Sequence, residues 1–193
     1  MDKESIYSRE EIEEICKEVE RQWEYHLLAR GAFPINPEGL TEYQSSDFYI
    51  EHGVLMKVSI PGPMSPVMQR GLAGIHQWLN QNYIIRLYGI LDQYKVLTAG
   101  KKLNNPYINI LYGLRQKIGA HSSGYRNPKD YDARKLTKLI QEHLDPSIGD
   151  ERVHHFNLAI DTVLYKMKED CIKFIRSLEG EPIPSSSSTR HKI

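Results

Sequence analysis

Apolar side chains recur every three or four residues along five stretches of the chain, which is the spacing of amphipathic helices. The first stretch begins at Ser8 and Glu11, the Ser-x-x-Glu pattern of a capping box, and should end near Arg30. The second begins at Ser65, which is followed by a proline, and extends past residue 96. The other three cover residues 105–119, 131–143 and about 150–178. The pattern predicts a mainly α protein, a helical bundle of about five helices.

Residues 31–63 interrupt this helical pattern. Pro34, Pro37 and Gly39 enforce a loop, and alternating apolar positions then flank His52 and Gly53. Alternation around a glycine-containing turn predicts a small β-hairpin after the first helix. The chain thus divides into an N-terminal helix and hairpin extension (1–63), a helical domain (64–178) and a low-complexity tail (179–193) that we expect to be disordered.

Charge is balanced overall but unevenly placed. The 25 Lys and Arg residues match the 25 Asp and Glu residues, so no global field draws the chain to nucleic acid or membrane. Residues 1–24 carry nine acidic and four basic side chains, whereas residues 115–138 carry seven basic and two acidic ones. The basic stretch suits a phosphate-bearing ligand, but it equally suits a solvated helix face or one that packs on the acidic first helix.

The cysteines and the apolar runs favour a cytoplasmic protein that is not embedded in a membrane. Cys16 and Cys171 both fall on apolar helical stripes, which predicts two buried thiols in a reducing compartment. The charged N-terminus lacks the apolar run of a signal peptide, and no stretch approaches the roughly 18 apolar residues that span a bilayer.

The strongest candidate for chemistry lies in residues 105–126. Asn105 and Pro106 form a helix start, and Gly119 is predicted to end that helix. If the helix ends there, the chain can turn and bring the His121 imidazole beside the Arg115 guanidinium. A guanidinium binds phosphate bidentately and an imidazole exchanges protons near neutral pH, although an arginine and a histidine at a helix end also serve as ordinary caps.

Arg115, five intervening residues and His121, with the polar Gln116 directly after the arginine, resemble the signature of the HEPN (higher eukaryotes and prokaryotes nucleotide-binding) family. The following Ser-Ser-Gly-Tyr-Arg segment is also similar to members of that family. The resemblance covers roughly residues 64–178. It implies a HEPN-like helical bundle and a two-fold dimer in which two Arg/His pairs face one cleft. Gln116 departs from the pattern, because active members usually carry Asn, Asp or His there.

The resemblance implies a metal-independent endoribonuclease without a cofactor, acting in a toxin–antitoxin or antiviral defence system. The ribose 2′-hydroxyl would attack the adjacent phosphorus and leave a 2′,3′-cyclic phosphate, with a second acid such as His121 of the partner subunit protonating the leaving oxygen. The implied partners are RNA, a second copy of the chain and an antitoxin or nucleotidyltransferase. The implied catalytic residues are Arg115, His121 and Gln116, and the implied RNA contacts are Lys117, Tyr125 and Arg126.

Two other functions remain open from the sequence. The chain can be a non-catalytic module in which Arg115 and His121 bind a nucleotide or hold a dimer, or a helical protein in which both are structural. Phosphate-binding loops, dinucleotide fingerprints, zinc-protease motifs and Cys-x-x-Cys pairs are absent from the sequence. His154 and His155 are adjacent and point in different directions on a helix, so they predict no metal site.

Overall fold

The computed structural model of this chain describes residues 6–33, 43–44, 48–50, 54–56, 59–60, 64–122 and 133–184. Its helices are α1 (Arg9–Gly31), α2 (Pro66–Gln93), α3 (Val96–Lys102), α4 (Pro106–Ser122), α5 (Ala133–His143), α6 (Asp150–His154) and α7 (Lys166–Arg176). A π-helical turn, Ile160–Tyr165, leads directly into α7. Four short strands lie between α1 and α2: β1 (Tyr43–Gln44), β2 (Phe48–Ile50), β3 (Val54–Met56) and β4 (Ser59–Ile60). The mainly α helical bundle that the sequence predicts is confirmed.

The four strands form two antiparallel pairs. β2 pairs with β3, so that Tyr49 lies opposite Leu55, and β1 pairs with β4, so that Tyr43 lies opposite Ile60. Both pairs join segments on either side of residues 51–53, which is where the hairpin is predicted.

The helix starts follow the local sequence signals. Ser8 Oγ accepts a hydrogen bond from the Glu11 backbone N–H at 3.2 Å, and a Glu11 carboxylate oxygen accepts one from the Ser8 N–H at 2.9 Å. Ser65 Oγ likewise accepts from the Met68 N–H at 3.2 Å. These contacts satisfy N–H groups that have no partner within the helix, and they confirm the predicted capping box and cap.

Two of the predicted helices are broken by turns. The second ends at Gln93 because Lys95 takes a left-handed conformation (φ 60°), and α3 follows. The last ends at His154, because Phe156 also takes a positive φ, 54°, and the π-helical turn begins only at Ile160. The estimate of about five helices is therefore too low: the described residues contain seven α-helices.

One hydrophobic core joins the helices. α1 packs on α2 and α7, and α4 packs on α2, α5 and α7. Because α1 contributes to this core, the N-terminal helix is an integral part of the bundle. Cys16 and Cys171 are free thiols buried within it, as predicted. None of the described helices is both long and apolar enough to cross a membrane. The fully buried side chains include Ile15, Ile84, Leu87, Leu111, Leu114 and Met167.

The first part of the predicted disordered tail is ordered. The Gly180 N–H donates to the Tyr7 carbonyl, and the Tyr7 N–H donates to the Glu181 carbonyl, both at 3.0 Å. Ile6 and Pro182 form an antiparallel bridge beside them. The chain is therefore fixed against its own N-terminal segment up to residue 184, and residues 185–193 lie outside the described residues.

A buried histidine makes the stability of the bundle dependent on pH. His26 on α1 is 5% exposed and stacks on Tyr83, with ring centroids 4.8 Å apart. Among the described residues its Nε2 has no hydrogen-bond partner. Burial, with the positive charge of Arg30 and the neighbouring His76, lowers the pKa of His26 to about 4.

Lowering the pH from 6.5 to 4 should therefore reduce the free energy of unfolding. The unfolded chain protonates His26 below its ordinary pKa of 6.5, whereas the folded protein resists protonation until about pH 4. The stability present above pH 6.5 is lost progressively across that window, by about 3 kcal/mol. Urea unfolding at several pH values measures this loss. His26→Phe should flatten the profile, and an equally steep profile in that variant would contradict the role of His26.

Candidate functional site

The helix that carries the Arg/His motif is firmly anchored. Asn105 Oδ1 accepts hydrogen bonds from the backbone N–H groups of Tyr107 and Ile108, both at 3.1 Å, so the predicted N-cap is confirmed. The predicted apolar stripe of α4 is also buried, with Leu111 and Leu114 fully inaccessible. The motif therefore lies on a rigid element of the bundle.

The predicted end of this helix at Gly119 is wrong. α4 continues through Gly119 to Ser122. Gly119 does not take the left-handed conformation that ends a helix, and Ile118 still packs in the core beside it. A glycine inside a helix weakens it by about 1 kcal/mol relative to alanine, which burial of the neighbouring stripe outweighs.

Helix continuity separates the two motif positions. Six residues of α-helix place positions 115 and 121 about 9 Å apart along the axis and about 120° apart around it. No turn brings them together, contrary to the expectation from the sequence. The backbone of His121 lies in the last turn of α4, and its side chain lies outside the described side chains.

Arg115 lies at one end of a row of two aromatic rings that has a cation at each end. Its guanidinium carbon is 5.9 Å from the centroid of the Tyr88 ring, which lies 6.3 Å from the ring of Tyr112. The Lys101 ammonium lies 3.8 Å from the centroid of the Tyr112 ring, so the row ends in a second cation. Both distances to cations are within the range of cation–π attraction. We call Lys101, Tyr112, Tyr88 and Arg115 the aromatic–cation row.

This row joins three helices: Lys101 lies on α3, Tyr112 and Arg115 lie on α4, and Tyr88 lies on α2. Lys101 is exposed and the other three side chains are half-buried, so parts of both rings and both cations face solvent. Burial, with the charge of Asp92, raises the pKa of Tyr88, so its hydroxyl remains neutral. Tyr112 lies one turn before Arg115, so its spacing in the sequence could have identified it as a neighbour of the arginine. Tyr88 and Lys101 lie on other helices, and no spacing in the sequence indicates their contacts.

The absence of a side chain at Gly119 leaves room for the guanidinium. A Cβ atom built at Gly119 would lie 3.0 Å from Arg115 Nη1, which is closer than most contacts of a Cβ atom, so the guanidinium would have to move. The Arg115 side chain therefore lies along the helix over the following turn. The glycine at position 119 thus leaves space for the Arg115 guanidinium, and this role is separate from its effect on helix stability.

Lys117 lies in the interior and is not part of this exposed row. It is 4% exposed, and its Nζ lies 3.1 Å from Nδ1 of His154 on α6 and 5.7 Å from the centroid of the Phe156 ring. Burial lowers the pKa of the Lys117 ammonium. A buried position disfavours the direct RNA contact that the sequence suggests for this residue. Gln116, by contrast, is exposed.

Two further candidates cannot be placed. Tyr125 and Arg126, the remaining RNA contacts suggested by the motif, lie outside the described residues. Within the described part of the chain, no group of three or more His, Cys, Asp or Glu side chains is arranged to hold a metal ion.

Comparisons of this chain with protein-family models, with curated proteins and with solved structures each find no match. The HEPN resemblance consequently rests on the Arg115–His121 motif and on the helices that surround it. Any function assigned to the chain has to come from the chemistry of this site.

Proposed function

We propose that the protein is a metal-independent endoribonuclease of HEPN type. The observation that carries this proposal is the aromatic–cation row, which ends at the arginine of the motif. Two neighbouring rings with a cation at each end suit single-stranded RNA, because bases stack on aromatic rings while cations pair with the flanking phosphates. Arg115 would then hold the phosphate at which cleavage occurs.

Cleavage would proceed by attack of the ribose 2′-oxygen on the adjacent phosphorus. His121 accepts the 2′-hydroxyl proton, the new oxygen–phosphorus bond closes a 2′,3′-cyclic phosphate, and the bond to the 5′-oxygen breaks as that oxygen receives a proton from a second acid. The forked guanidinium of Arg115 stabilises the charge that develops on the phosphoryl oxygens. The exposed Gln116 would bind a phosphate or orient His121.

An exposed face of α2 supports the proposed homodimer or a protein partner. Trp78 is 61% exposed and Val67 is 69% exposed, which is unusual for large apolar side chains. Gly74 lies on the same side of the helix, and a Cβ atom built there would meet nothing within 4 Å. A second copy, an antitoxin or a nucleotidyltransferase would cover this face in a cytoplasmic toxin–antitoxin or antiviral defence system.

The second candidate function is a non-catalytic module that binds RNA or a nucleotide. The continuity of α4 favours it, because positions 115 and 121 are about 120° apart around one helix. Gln116, at a position where active HEPN proteins usually carry Asn, Asp or His, favours it as well. Such a module would use the same row for binding and would release its ligand intact.

Incubation of the purified protein with labelled single-stranded RNA in EDTA distinguishes the two functions. The DNA of the same sequence lacks the 2′-nucleophile and should remain intact. We expect RNA products with cyclic phosphate ends from the wild type and from His143→Ala, and none from His121→Ala. RNA binding without cleavage would identify the binding module, and equal cleavage by wild type and His121→Ala would place the activity outside the motif.

Gly119→Ala should stabilise the fold and impair cleavage at the same time. Alanine in a helix interior is more stable than glycine by about 1 kcal/mol, so the melting temperature should rise by a few degrees. The added Cβ would lie 3.0 Å from Arg115 Nη1 and would displace the guanidinium. Thermal unfolding and RNA cleavage rates measure the two effects.

Gly89→Ala is the matched control for this prediction. Gly89 is an exposed helix glycine on α2, and a Cβ there meets nothing within 4 Å. It should give a similar gain in melting temperature with unchanged cleavage. Wild-type cleavage by Gly119→Ala would show that the position of the guanidinium is unimportant.

A further inference from the structure

A cavity of about 470 Å³ lies between the start of α1, the short helix α3 and the segment 182–184. Its volume is within the range of small-molecule pockets, about 300–1,000 Å³. Apolar side chains form one part of the wall, and polar and charged side chains form the other. The apolar part consists of Ile15, Pro182, Ile183 and Pro184. The cavity can therefore take a molecule that has both an apolar face and polar groups.

Two lysines give the lining of this cavity a net positive charge. Lys95 lies directly before α3 and Lys102 is its last residue, so seven positions, nearly two helical turns, place them on the same side of the helix. Among the residues that the structure describes, no carboxylate forms an ion pair with either ammonium group. The Glu11 carboxylate also lines the cavity, but it accepts the Ser8 N–H of the capping box at 2.9 Å. Two cations beside one engaged carboxylate favour an anionic ligand.

The backbone at Lys95 is held in a conformation that lysine rarely adopts. Its φ is 60°, in the left-handed region that glycine takes without a Cβ clash. The Tyr94 carbonyl directly before it accepts a hydrogen bond of 2.9 Å from Tyr7 Oη, and both tyrosines line the cavity. A lysine at this position therefore lowers the stability of the fold relative to glycine. Such strain is typical of positions that have a function.

The cavity adjoins the aromatic–cation row at the end of α3. Lys101 ends the row, and the next residue, Lys102, lines the cavity. A single strand of RNA that follows the row from Arg115 passes two rings before it reaches Lys101, so the next nucleotide arrives at the cavity. Gln93 lines the cavity with an exposed side-chain amide, which can both donate to and accept from the edge of a base.

We propose that this cavity binds one unpaired nucleotide of the RNA substrate, the third on one side of the phosphate that Arg115 holds. This inference rests on the proposed binding of RNA along the row. Lys95 and Lys102 pair with the phosphates that flank this nucleotide, its base packs against Ile183, and Gln93 hydrogen-bonds the edge of the base. The cavity therefore selects RNA that is single-stranded for three nucleotides beside the cleaved bond.

The first test is the salt dependence of RNA binding, measured by fluorescence anisotropy. The probe is a labelled single-stranded RNA, with a 2′-deoxyribose at any linkage that the wild type cleaves, so that it stays intact. Each lysine that pairs with a phosphate of a single strand contributes about 0.7 to the slope of log Kd against log salt concentration. The double variant Lys95→Ala with Lys102→Ala should therefore lower this slope by about 1.4. Lys17→Ala removes an exposed lysine of α1 and should leave the slope unchanged.

Lys95→Gly should raise the melting temperature and weaken RNA binding at the same time. Glycine relieves the left-handed backbone, so the melting temperature should rise by about 1–3 °C. Loss of one ammonium should weaken binding at low salt by about fivefold. Because the two effects have opposite signs, weaker binding cannot come from a loss of folding. Asn104→Gly is the matched control, because Asn104 has a φ of 50° at the other end of α3 and lies outside the cavity lining, so RNA affinity should not change.

RNA probes that lack a single base locate the nucleotide in the cavity. Removing the base at each position in turn should weaken binding to the wild type at the two positions of the row and at the third nucleotide. In Gln93→Ala, removing the third base should cause a clearly smaller further loss, because the hydrogen bond to that base is already absent. Removing either base of the row should weaken binding to Gln93→Ala as much as it does to the wild type.

The outcomes separate this inference from the ribonuclease function. A wild-type affinity and salt slope in the double lysine variant would overturn the cavity as a binding site, even if the RNA is cleaved. Losses from Gln93→Ala and from base removal that add independently at every position would overturn the placement of a base in the cavity. RNA that binds as expected but is never cleaved would support the cavity and show that the ribonuclease function is wrong. No binding of RNA by the wild type would overturn both.

Discussion

Arg115→Ala is expected to slow RNA cleavage by about 100- to 1,000-fold, which is the cost of removing one group that stabilises transition-state charge. The guanidinium carbon lies 5.9 Å from the Tyr88 ring centroid and its Nη1 lies beside Gly119, so these two neighbours restrict where the fork can lie before the substrate binds. A preorganised donor loses little conformational entropy when the substrate binds. Most of its interaction energy can therefore stabilise the transition state. Single-turnover cleavage rates at saturating enzyme measure this effect separately from RNA affinity.

The controls separate charge from geometry. Arg115→Lys keeps the charge and loses the fork, so it should recover only a small part of the lost rate. Arg86→Ala removes an exposed arginine of α2 and should cleave like the wild type. The melting temperature of Arg115→Ala should stay close to that of the wild type, because one contact with a ring stabilises a half-exposed side chain by only about 1 kcal/mol. Cleavage by Arg115→Ala at the wild-type rate would remove the motif from the mechanism.

The parts of the fold that depend on neighbouring residues were predictable. The helix starts at Ser8, Ser65 and Asn105 follow from side chains within three residues of the N–H groups that they cap. The buried stripes follow from the helical period alone. Both signals are local, so the sequence contains all the information that they need.

The breaks in the helices were not predictable, because distant residues fix them. Tyr7 Oη donates to the Tyr94 carbonyl at 2.9 Å across 87 positions, which stabilises the chain where α2 ends. Asn80 binds the Phe156 carbonyl across 76 positions. The apolar periodicity of the sequence contains no information on either contact. The continuous apolar stripe through Phe156 therefore predicts one long helix, whereas the chain turns there in the structure.

The candidate site also has a part that the sequence predicts and a part that it does not. The position of Arg115 on a helix followed from the sequence, but its neighbours Tyr88 and Lys101 come from α2 and α3. The resemblance suggests Lys117 as an RNA contact, but Lys117 lies three positions after the buried Leu114 and so continues the buried side of α4. Its contact with His154 depends on the packing of α6, which the spacing along α4 does not show.

Asn80→Leu should destabilise the protein by about 3–5 kcal/mol, since it leaves several buried polar groups without partners. Asn80 is 2% exposed and donates to the carbonyls of Phe156 and Leu158. Its Oδ1 also accepts a hydrogen bond of 2.7 Å from Arg30 Nη1. Leucine matches the shape of asparagine but replaces none of these bonds. Urea unfolding at pH 7 measures the loss.

Two controls test whether the position or the residue type is responsible. Asn82→Leu changes an asparagine on the same helix whose amide, among the described residues, donates to the Trp78 carbonyl one turn before it, so its stability should change little. Gly100→Ala is destabilised for a different reason, because its Cβ would lie 2.5 Å from Ile108 Cγ1 between α3 and α4. A loss below about 1 kcal/mol in Asn80→Leu would mean that water replaces the missing bonds.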